Sequence, residues 1–314
     1  MHTNEELDNL LQMSLEDKIT MSKLRITEFY EHYNGNIVVS FSGGKDSTVL
    51  LHLVRSLYPD VKGVFCDTGL EYPEVKNHVK SIENIDIIRP QLSFKQVIEQ
   101  YGWVYPSKAT AEKIYYARKG SKWAQYAMEG KNSDGTPSWF LGRYKRWGFL
   151  IDSPFKISDK CCDVMKKKPF HDYMKHQGCG VLVGTMTSES NLRKRAWLQT
   201  GCNAFNLDKG MPLSFWTEQD VLQYILNEKI QIPAVYGDIV KVGSKLATTG
   251  EHRTGCMFCP IGIHLEKHPN RFQRMAKTHP KIYDYCIHKL GLGELLDYVG
   301  VDYKPHDEEQ LWKE

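Results

Sequence analysis

The segment Ser40-Phe41-Ser42-Gly43-Gly44-Lys45-Asp46-Ser47 gathers three hydroxyls, two glycines and a lysine within a single turn's length. It follows a strand-like run at 36–39 and opens a helix-like run at 46–57. A strand that feeds a glycine turn and then a helix aims backbone N–H groups outward at a positive helix end, a setting that binds phosphate. Gly43 and Gly44 let the backbone approach an anion and tolerate positive φ. Lys45 adds a point charge, and Ser42 and Ser47 can donate to phosphate oxygens. The spacing is not that of a Walker A loop, because the lysine follows the paired glycines directly. A plain Gly-Gly turn between strand and helix is the alternative.

The cysteines form the second group. Cys161-Cys162 is a vicinal pair and Cys256-Met257-Phe258-Cys259 is a CxxC. Four thiolates drawn from two such pairs suit a [4Fe–4S] cube or a structural zinc; reduced structural thiols are the third reading. Adjacent cysteines depart from the CxxC knuckles that zinc prefers. Lys160, Lys166, Lys167 and Lys168 would offset the thiolate charge. Cys66, Cys179, Cys202 and Cys286 are isolated, and burial is the ordinary fate of such residues.

The surrounding periodicity alternates between strand and helix. An amphipathic helix is expected over 14–33, with Ser14 and Asp17 at its start. Strands are expected at 37–41, 61–66, 85–88 and 181–184. Helices are expected at 47–57, 74–82, 93–101 and 217–227, the last with Thr217 as N-cap and Asp220 three residues on. This alternation predicts an α/β, doubly wound, mostly parallel sheet with its ligand at the carboxyl ends of the strands. The expected organisation is an N-terminal helix (1–35), a nucleotide-binding domain (36–262) and a C-terminal helical extension (263–314). Residues 103–150 break the pattern. There Lys108, Lys113, Arg118, Lys119, Lys122, Lys131, Arg143, Lys145 and Arg146 are interleaved with Tyr115, Tyr116, Trp123, Tyr126, Trp139, Tyr144 and Trp147. Cations with stacking rings suit single-stranded nucleic acid; an insertion with packed rings and solvated charges is the plainer reading. His264, Glu266, His268 and His279 read as part of a polar helical segment, with metal ligation as the alternative.

The 314 residues are 41% hydrophobic and 25% charged, which excludes a disordered or low-complexity class. A net charge of +3 does not by itself demand a polyanionic partner. No apolar run reaches membrane-spanning length, the first residues are polar, and the eight cysteines fit metal or redox chemistry in a reducing compartment. A cytoplasmic location and no membrane partner are therefore expected.

Several segments, in order, resemble the phosphoadenosine/adenosine phosphosulfate (PAPS/APS) reductase family of the PP-loop adenine nucleotide alpha-hydrolase superfamily. SGGKDS at 42–47 resembles its PP-loop. Asp67-Thr68-Gly69 with Tyr72-Pro73-Glu74 is similar to its "DTG…FPET" segment, and Cys161-Cys162 with Lys166 to Pro169 to its "CC…K…PL" segment. Gly184 to Arg193 is similar to "G.R..ES..R", Pro212 to Val221 to "PL…W…DV", and Gly255 to Cys259 to the closing cluster pair. The vicinal pair plus CxxC resembles the iron–sulfur branch.

The resemblance implies ATP or an adenylylated sulfate as ligand, with Mg²⁺ and a [4Fe–4S] cluster, zinc being the alternative metal. It implies Ser40, Ser42, Gly43, Gly44, Lys45, Ser47, Asp67, Thr68, Gly69, Glu189 and Arg193 as nucleotide contacts. Lys45, Asp46 and Ser47 would be the catalytic set, and Cys161, Cys162, Cys256 and Cys259 the cluster ligands. Asp46 would reach Mg²⁺ through water or serve only as a first-turn acid. Arg193 would hold phosphate or pair with an acid, and His252 and Arg253 would reach the nucleotide or cluster or lie in a solvated loop.

Two departures matter. The Glu-Cys-Gly string of assimilatory reductases does not occur, and Cys286, the one cysteine after the CxxC, lies in a helical stretch at 281–290. The basic aromatic insertion is the second departure. Both shift the expectation toward relatives that convert ATP to AMP and pyrophosphate while installing sulfur in nucleic acid, the DNA-phosphorothioation ATP pyrophosphatases being the nearest resemblance. A sulfur donor such as a cysteine desulfurase, DNA-modification proteins, single-stranded nucleic acid and a second copy of the chain are the partners this implies. An APS/PAPS reductase using Cys286 or an external thiol is the alternative enzyme. A non-catalytic nucleotide-sensing or nucleic-acid-binding module is the alternative outside enzymes.

Overall fold

The computed structural model describes residues 2–305 and divides into two compact units. The first comprises the residues up to Pro90 together with Lys168–Met257; the second comprises Gln91–Lys167 and the residues from Phe258 onward.

The first unit is built on a six-stranded sheet of β1 (Ile37–Ser40), β2 (Lys62–Cys66), β3 (Ile85–Ile88), β4 (Gly180–Val183), β5 (Asn203–Ala204) and β6 (Lys209–Gly210). The order is β3-β2-β1-β4-β6-β5, parallel throughout except for β5 against β6. The central strands read as unbroken apolar runs because helices cover both faces. Val38, Val64 and Val181 pack against Phe170, Tyr173 and Met174 of the Lys168–Gln177 helix. Val39 and Leu182 alternate to the other face and are fully buried. Gly63 carries no side chain because a Cβ there would meet Ile85 Cδ1 at 2.5 Å.

The doubly wound α/β sheet is thus observed, and the expected strands and helices of this unit recur within two residues. The helix expected over 14–33 runs Leu15–His32 with Ser14 as N-cap, and its docking is specific. Ser22 Oγ donates to the Pro212 carbonyl (2.8 Å) and accepts from Trp216 Nε1 (2.9 Å). The Lys18 ammonium, itself buried, pairs with Asp220 at 2.7 Å. Asp220 also closes a capping box with Thr217 on the Glu218–Glu228 helix. A hairpin of β7 (Ile239–Val242) and β8 (Lys245–Thr248), joined by Gly243-Ser244, was not expected; nor was the β5–β6 pair, whose two-residue strands are too short for any periodicity.

The second unit is mainly helical. Its helices include Phe94–Tyr101, Lys108–Arg118, Lys122–Met128, Leu141–Trp147, Arg271–Thr278 and Leu292–Tyr298. Tyr105, Ile114, Phe140, Leu150, Phe272 and Leu292 form its interior. Residues 103–150 belong here, and several of their cations have internal partners. The Arg118 guanidinium donates to the carbonyls of Leu150, Ile151, Ser153 and Phe155 at 2.6–2.9 Å. The Lys113 ammonium lies 4.4 Å from the Trp123 ring centroid, Lys119 4.4 Å from Tyr115, and the Arg143 guanidinium 4.9 Å from Trp139. In the stretch expected as a helix at 281–290, Pro280–Asp284 is α-helical and Tyr285–Lys289 forms a π-turn. Residues 306–314 of the expected C-terminal extension lie outside the described residues. Among the described residues no helix is long and apolar enough to cross a membrane.

Candidate active site

Strand order reverses between β1 and β4, so the connections leaving these two strands depart to opposite sides and open a crevice at their carboxyl ends. The glycine turn sits there. Ser40 is the last residue of β1, paired with Val64 and Val183, and the Lys45–Arg55 helix starts immediately after the turn with Gly44 as its N-cap. Gly43 has φ +73°, and a Cβ on it would stand 2.6 Å from Val79 and 2.8 Å from Val75. The turn therefore requires glycine both for its backbone angle and for its seat on the Pro73–Ser81 helix. On the β4 side, Gly184 lets the chain pass within 3.2 Å of the Asp46 carbonyl, measured from where a Cβ would be.

Within the turn, Ser42 and Ser47 hydroxyls face each other at 3.0 Å, and Ser47 Oγ donates to the Gly44 carbonyl at 3.0 Å. Lys45 is 3% exposed, which is unusual for a lysine and calls for full pairing. Its ammonium donates to the His252 carbonyl at 2.9 Å and pairs with Glu218 at 3.2 Å. Its backbone N–H donates to the Tyr236 hydroxyl at 3.2 Å, and that hydroxyl meets Thr254 Oγ1 at 2.8 Å. Asp46 Oδ1 is buried with no hydrogen-bond partner and lies 4.0 Å from Lys45 Nζ. Burial pushes the Asp46 carboxyl above its ordinary range, opposed by the charges of Lys45, Arg253 and Arg193.

The other expected nucleotide contacts cluster at the same edge of the sheet. Asp67, Thr68 and Gly69 follow β2. Asp67 pairs with Lys76 at 2.8 Å and with Arg89 at 3.5 Å, and accepts the Gly69 N–H. Burial raises its carboxyl, but these partners outweigh burial and hold it below the usual range. Thr68 donates through both N–H and Oγ1 to Glu71. Glu189, after β4, lies between Arg193 and Arg253. Arg193 and Arg253 both pair with Glu189, so one carboxylate lies between two guanidiniums. Tyr236, Thr254 and Glu218, which surround Lys45, were not singled out in the sequence: Tyr236 and Thr254 are in no motif, and Glu218 read only as the start of a helix.

The cysteines divide between the units. Cys161 and Cys162 lie on the short Lys160–Cys162 turn, which continues into a π-turn at Asp163–Lys167. With Cys259 they belong to the second unit, where all three thiols act on Lys108. A hydrogen bond from Cys161, helped by the Lys108 and Lys166 charges, lowers the Cys162 thiol to about 5, against the opposing effect of burial. Burial instead raises the Cys259 thiol. Cys256 lies in the first unit, next to Met257, whose N–H donates to the Leu70 carbonyl at 2.9 Å, in the loop after β2. None of the eight cysteines forms a disulfide. Among the described residues no group of three or more His, Cys, Asp or Glu side chains stands ready to hold a metal ion. Cys286 is fully buried, and burial pushes its thiol far up; it is not placed as a nucleophile.

A parallel sheet with a glycine-rich anion turn at its switch point defines an α/β nucleotide-binding fold of the PP-loop type. Residues 36–125 and 142–261 match the phosphoadenosine phosphosulfate reductase domain, and the chain belongs to that family. The unmatched residues 126–141 fall inside the basic aromatic insertion. Two uncharacterized proteins of Methanocaldococcus jannaschii are similar to the chain. One is 40% identical over 82% of this chain and 42% of its own length, the other 24% identical over 83% and 50%. The chain therefore spans half or less of the length of these two relatives. An adenosine 5′-phosphosulfate reductase of Bacillus cereus is 22% identical over 86% of this chain and 94% of its own.

Proposed function

We propose that the chain is an enzyme that binds an adenine nucleotide at the glycine turn and, with ATP, cleaves beside the α-phosphorus to give AMP and pyrophosphate. The observation that carries this reading is a buried lysine at the amino end of the Lys45–Arg55 helix, at the sheet's switch point. There the helix end and Lys45 both favour the negative charge that builds on the phosphates during attack. Water is the attacking group, its oxygen bonding to the α-phosphorus as the bond to the bridging oxygen breaks and pyrophosphate departs. Asp46 fits a magnesium site because its Oδ1 is buried and lacks a hydrogen-bond partner; the ion would neutralise phosphate charge. Ser42 and Ser47 orient phosphate oxygens, and Gly69 leaves the rim of the crevice open.

The cysteines fit a thiolate-bound group in donor chemistry: one thiol is strongly acidified and a lysine balances three of them. Cys161, Cys162 and Cys259 of the second unit would be ligands to a [4Fe–4S] cluster, which would supply electron or sulfur transfer. Coupling to sulfur transfer, with a desulfurase as donor and nucleic acid as acceptor, extends this reading. In the insertion, Tyr115, Trp123 and Trp139 already carry the chain's own cations on their rings.

The relatives named as phosphosulfate reductases favour a second reading, in which two external thiols reduce adenylyl sulfate to sulfite and AMP. The test is a parallel product assay after anaerobic purification with iron and sulfide analysis. Pyrophosphate from ATP without sulfite from adenylyl sulfate supports the first reading. Sulfite with thioredoxin or glutathione present, and no pyrophosphate, replaces it with the second.

A further inference from the structure

Several donors of the glycine turn are taken up by the chain's own oxygens. Ser42 N–H donates to Ser47 Oγ at 3.2 Å and Gly44 N–H to Ser42 Oγ at 3.4 Å. Lys45 N–H goes to Tyr236, and Lys45 Nζ to the His252 carbonyl and Glu218. These partners differ in how easily they leave. Tyr236 is 2% exposed, its ring centroid lies 5.3 Å from Lys45 Nζ, and its hydroxyl is held by Thr254. The chain around it is tied down by Gly250 N–H to the Tyr236 carbonyl (2.8 Å) and Glu251 N–H to the Val235 carbonyl (2.9 Å). A Cβ on Gly44 would stand 3.0 Å from Thr254 Oγ1 and 3.1 Å from the Tyr236 hydroxyl, so these two side chains press directly on the turn.

Glu218 is different. Its side chain is 52% exposed, so it can swing into water at little cost. Its helix does not need it, because Thr217 and Asp220 already form the capping box. It also brings to the buried ammonium a carboxyl group from a half-exposed side chain, an oxygen ligand of the kind a phosphate would bring.

We propose that Glu218 is a displaceable stand-in for phosphate: it holds the Lys45 ammonium in the free protein and gives way when the nucleotide arrives. Tyr236, backed by Thr254, is the positioning residue that keeps the Lys45 backbone and stem in place through the exchange. The inference rests on the phosphate-turn reading above and adds to it the residue that competes with the ligand.

Titration calorimetry with ATP and with inorganic pyrophosphate tests it on the full chain, the E218Q, E218A and K45A variants, and the E218Q/K45A double variant. Removing the competing carboxylate is expected to tighten both ligands about two- to fivefold, the equilibrium equivalent of a half-exposed ion pair. The gain is expected to vanish in the K45A background, since the coupling runs through that ammonium. Tyr236→Phe is expected to weaken binding and to speed hydrogen exchange of the Lys45 amide in the free protein. Unchanged or weaker binding in both Glu218 variants, or an equal gain without Lys45, overturns the stand-in role while leaving the nucleotide reading intact. Unchanged exchange and affinity in Tyr236→Phe overturns the positioning role. Failure of ATP and pyrophosphate to bind any of these proteins removes the nucleotide reading and the inference with it.

Discussion

Asp46 carries a tension that its neighbours only partly relieve. Its side chain is partly exposed beside a buried lysine, yet Oδ1 is buried with no hydrogen-bond partner. Because its folded value is raised, the native state retains a proton that the unfolded chain has already lost. Its contribution to stability therefore declines as pH climbs from the ordinary carboxylate value through the raised one. Asp46→Asn is expected to flatten that decline and to stabilise the free protein at neutral pH, read by urea denaturation across pH. The same variant is expected to lose magnesium-dependent pyrophosphate release. A variant that is less stable at every pH would show that the carboxylate is satisfied as it stands. Cys162 has the opposite sign. Its thiolate is favoured in the folded state, so its stabilising effect is complete above the ordinary thiol value and disappears as pH drops through about 5. In metal-free protein, iodoacetamide is expected to label Cys162 at pH 6, where an ordinary thiol is nearly inert. Lys108→Ala is expected to move the labelling midpoint upward, followed by peptide mass spectrometry.

At the scale of elements, the N-terminal helix and the Trp216 segment form one docking unit. The family-like string from Pro212 to Val221 turns out to seat that helix: Trp216 reaches Ser22, and Asp220 holds both its own helix cap and Lys18. Lys18→Ala is expected to destabilise the chain by about 2 kcal/mol, less than for a wholly uncompensated buried charge, because Asp220 keeps its bonds to Thr217. The shift in urea midpoint measures it, and a shift near zero would mean that water replaces the lysine freely. The helix and parallel-strand elements were legible because their apolar patterns are long and their caps are explicit, as with Ser14 and the Thr217–Asp220 pair. The β7–β8 hairpin and the β5–β6 pair were not, since their order depends on neighbours distant in sequence and not on local periodicity. The basic aromatic stretch was legible as an insertion, but not the internal use of its cations: Arg118 looked like surface charge and instead gathers four backbone carbonyls.

For the whole molecule, the question is what leaves the bound nucleotide. Cys286 is sealed in the second unit, in a setting that disfavours the thiolate, so a reductase in this chain would take its thiols from outside. Cys286→Ser is expected to leave turnover of ATP or adenylyl sulfate unchanged and to lower stability by about 1–2 kcal/mol through a buried hydroxyl. Loss of sulfite formation in a folded Cys286→Ser protein would return that cysteine to the reaction.

The amino-acid sequence by itself determined the main parallel strands and the helices between them, the place of the glycine turn between a strand and a helix, and membership of the phosphoadenosine phosphosulfate reductase family. These rest on contiguous residues, and a short string such as SGGKDS carries its meaning wherever it sits between a strand and a helix. Only the tertiary structure decided which groups surround Lys45. Tyr236, Thr254, His252 and Glu218 come from segments some two hundred residues further along the chain. A buried ammonium donates to any well-placed oxygen, carbonyl or carboxylate alike, so no residue type or spacing marks its partners in advance.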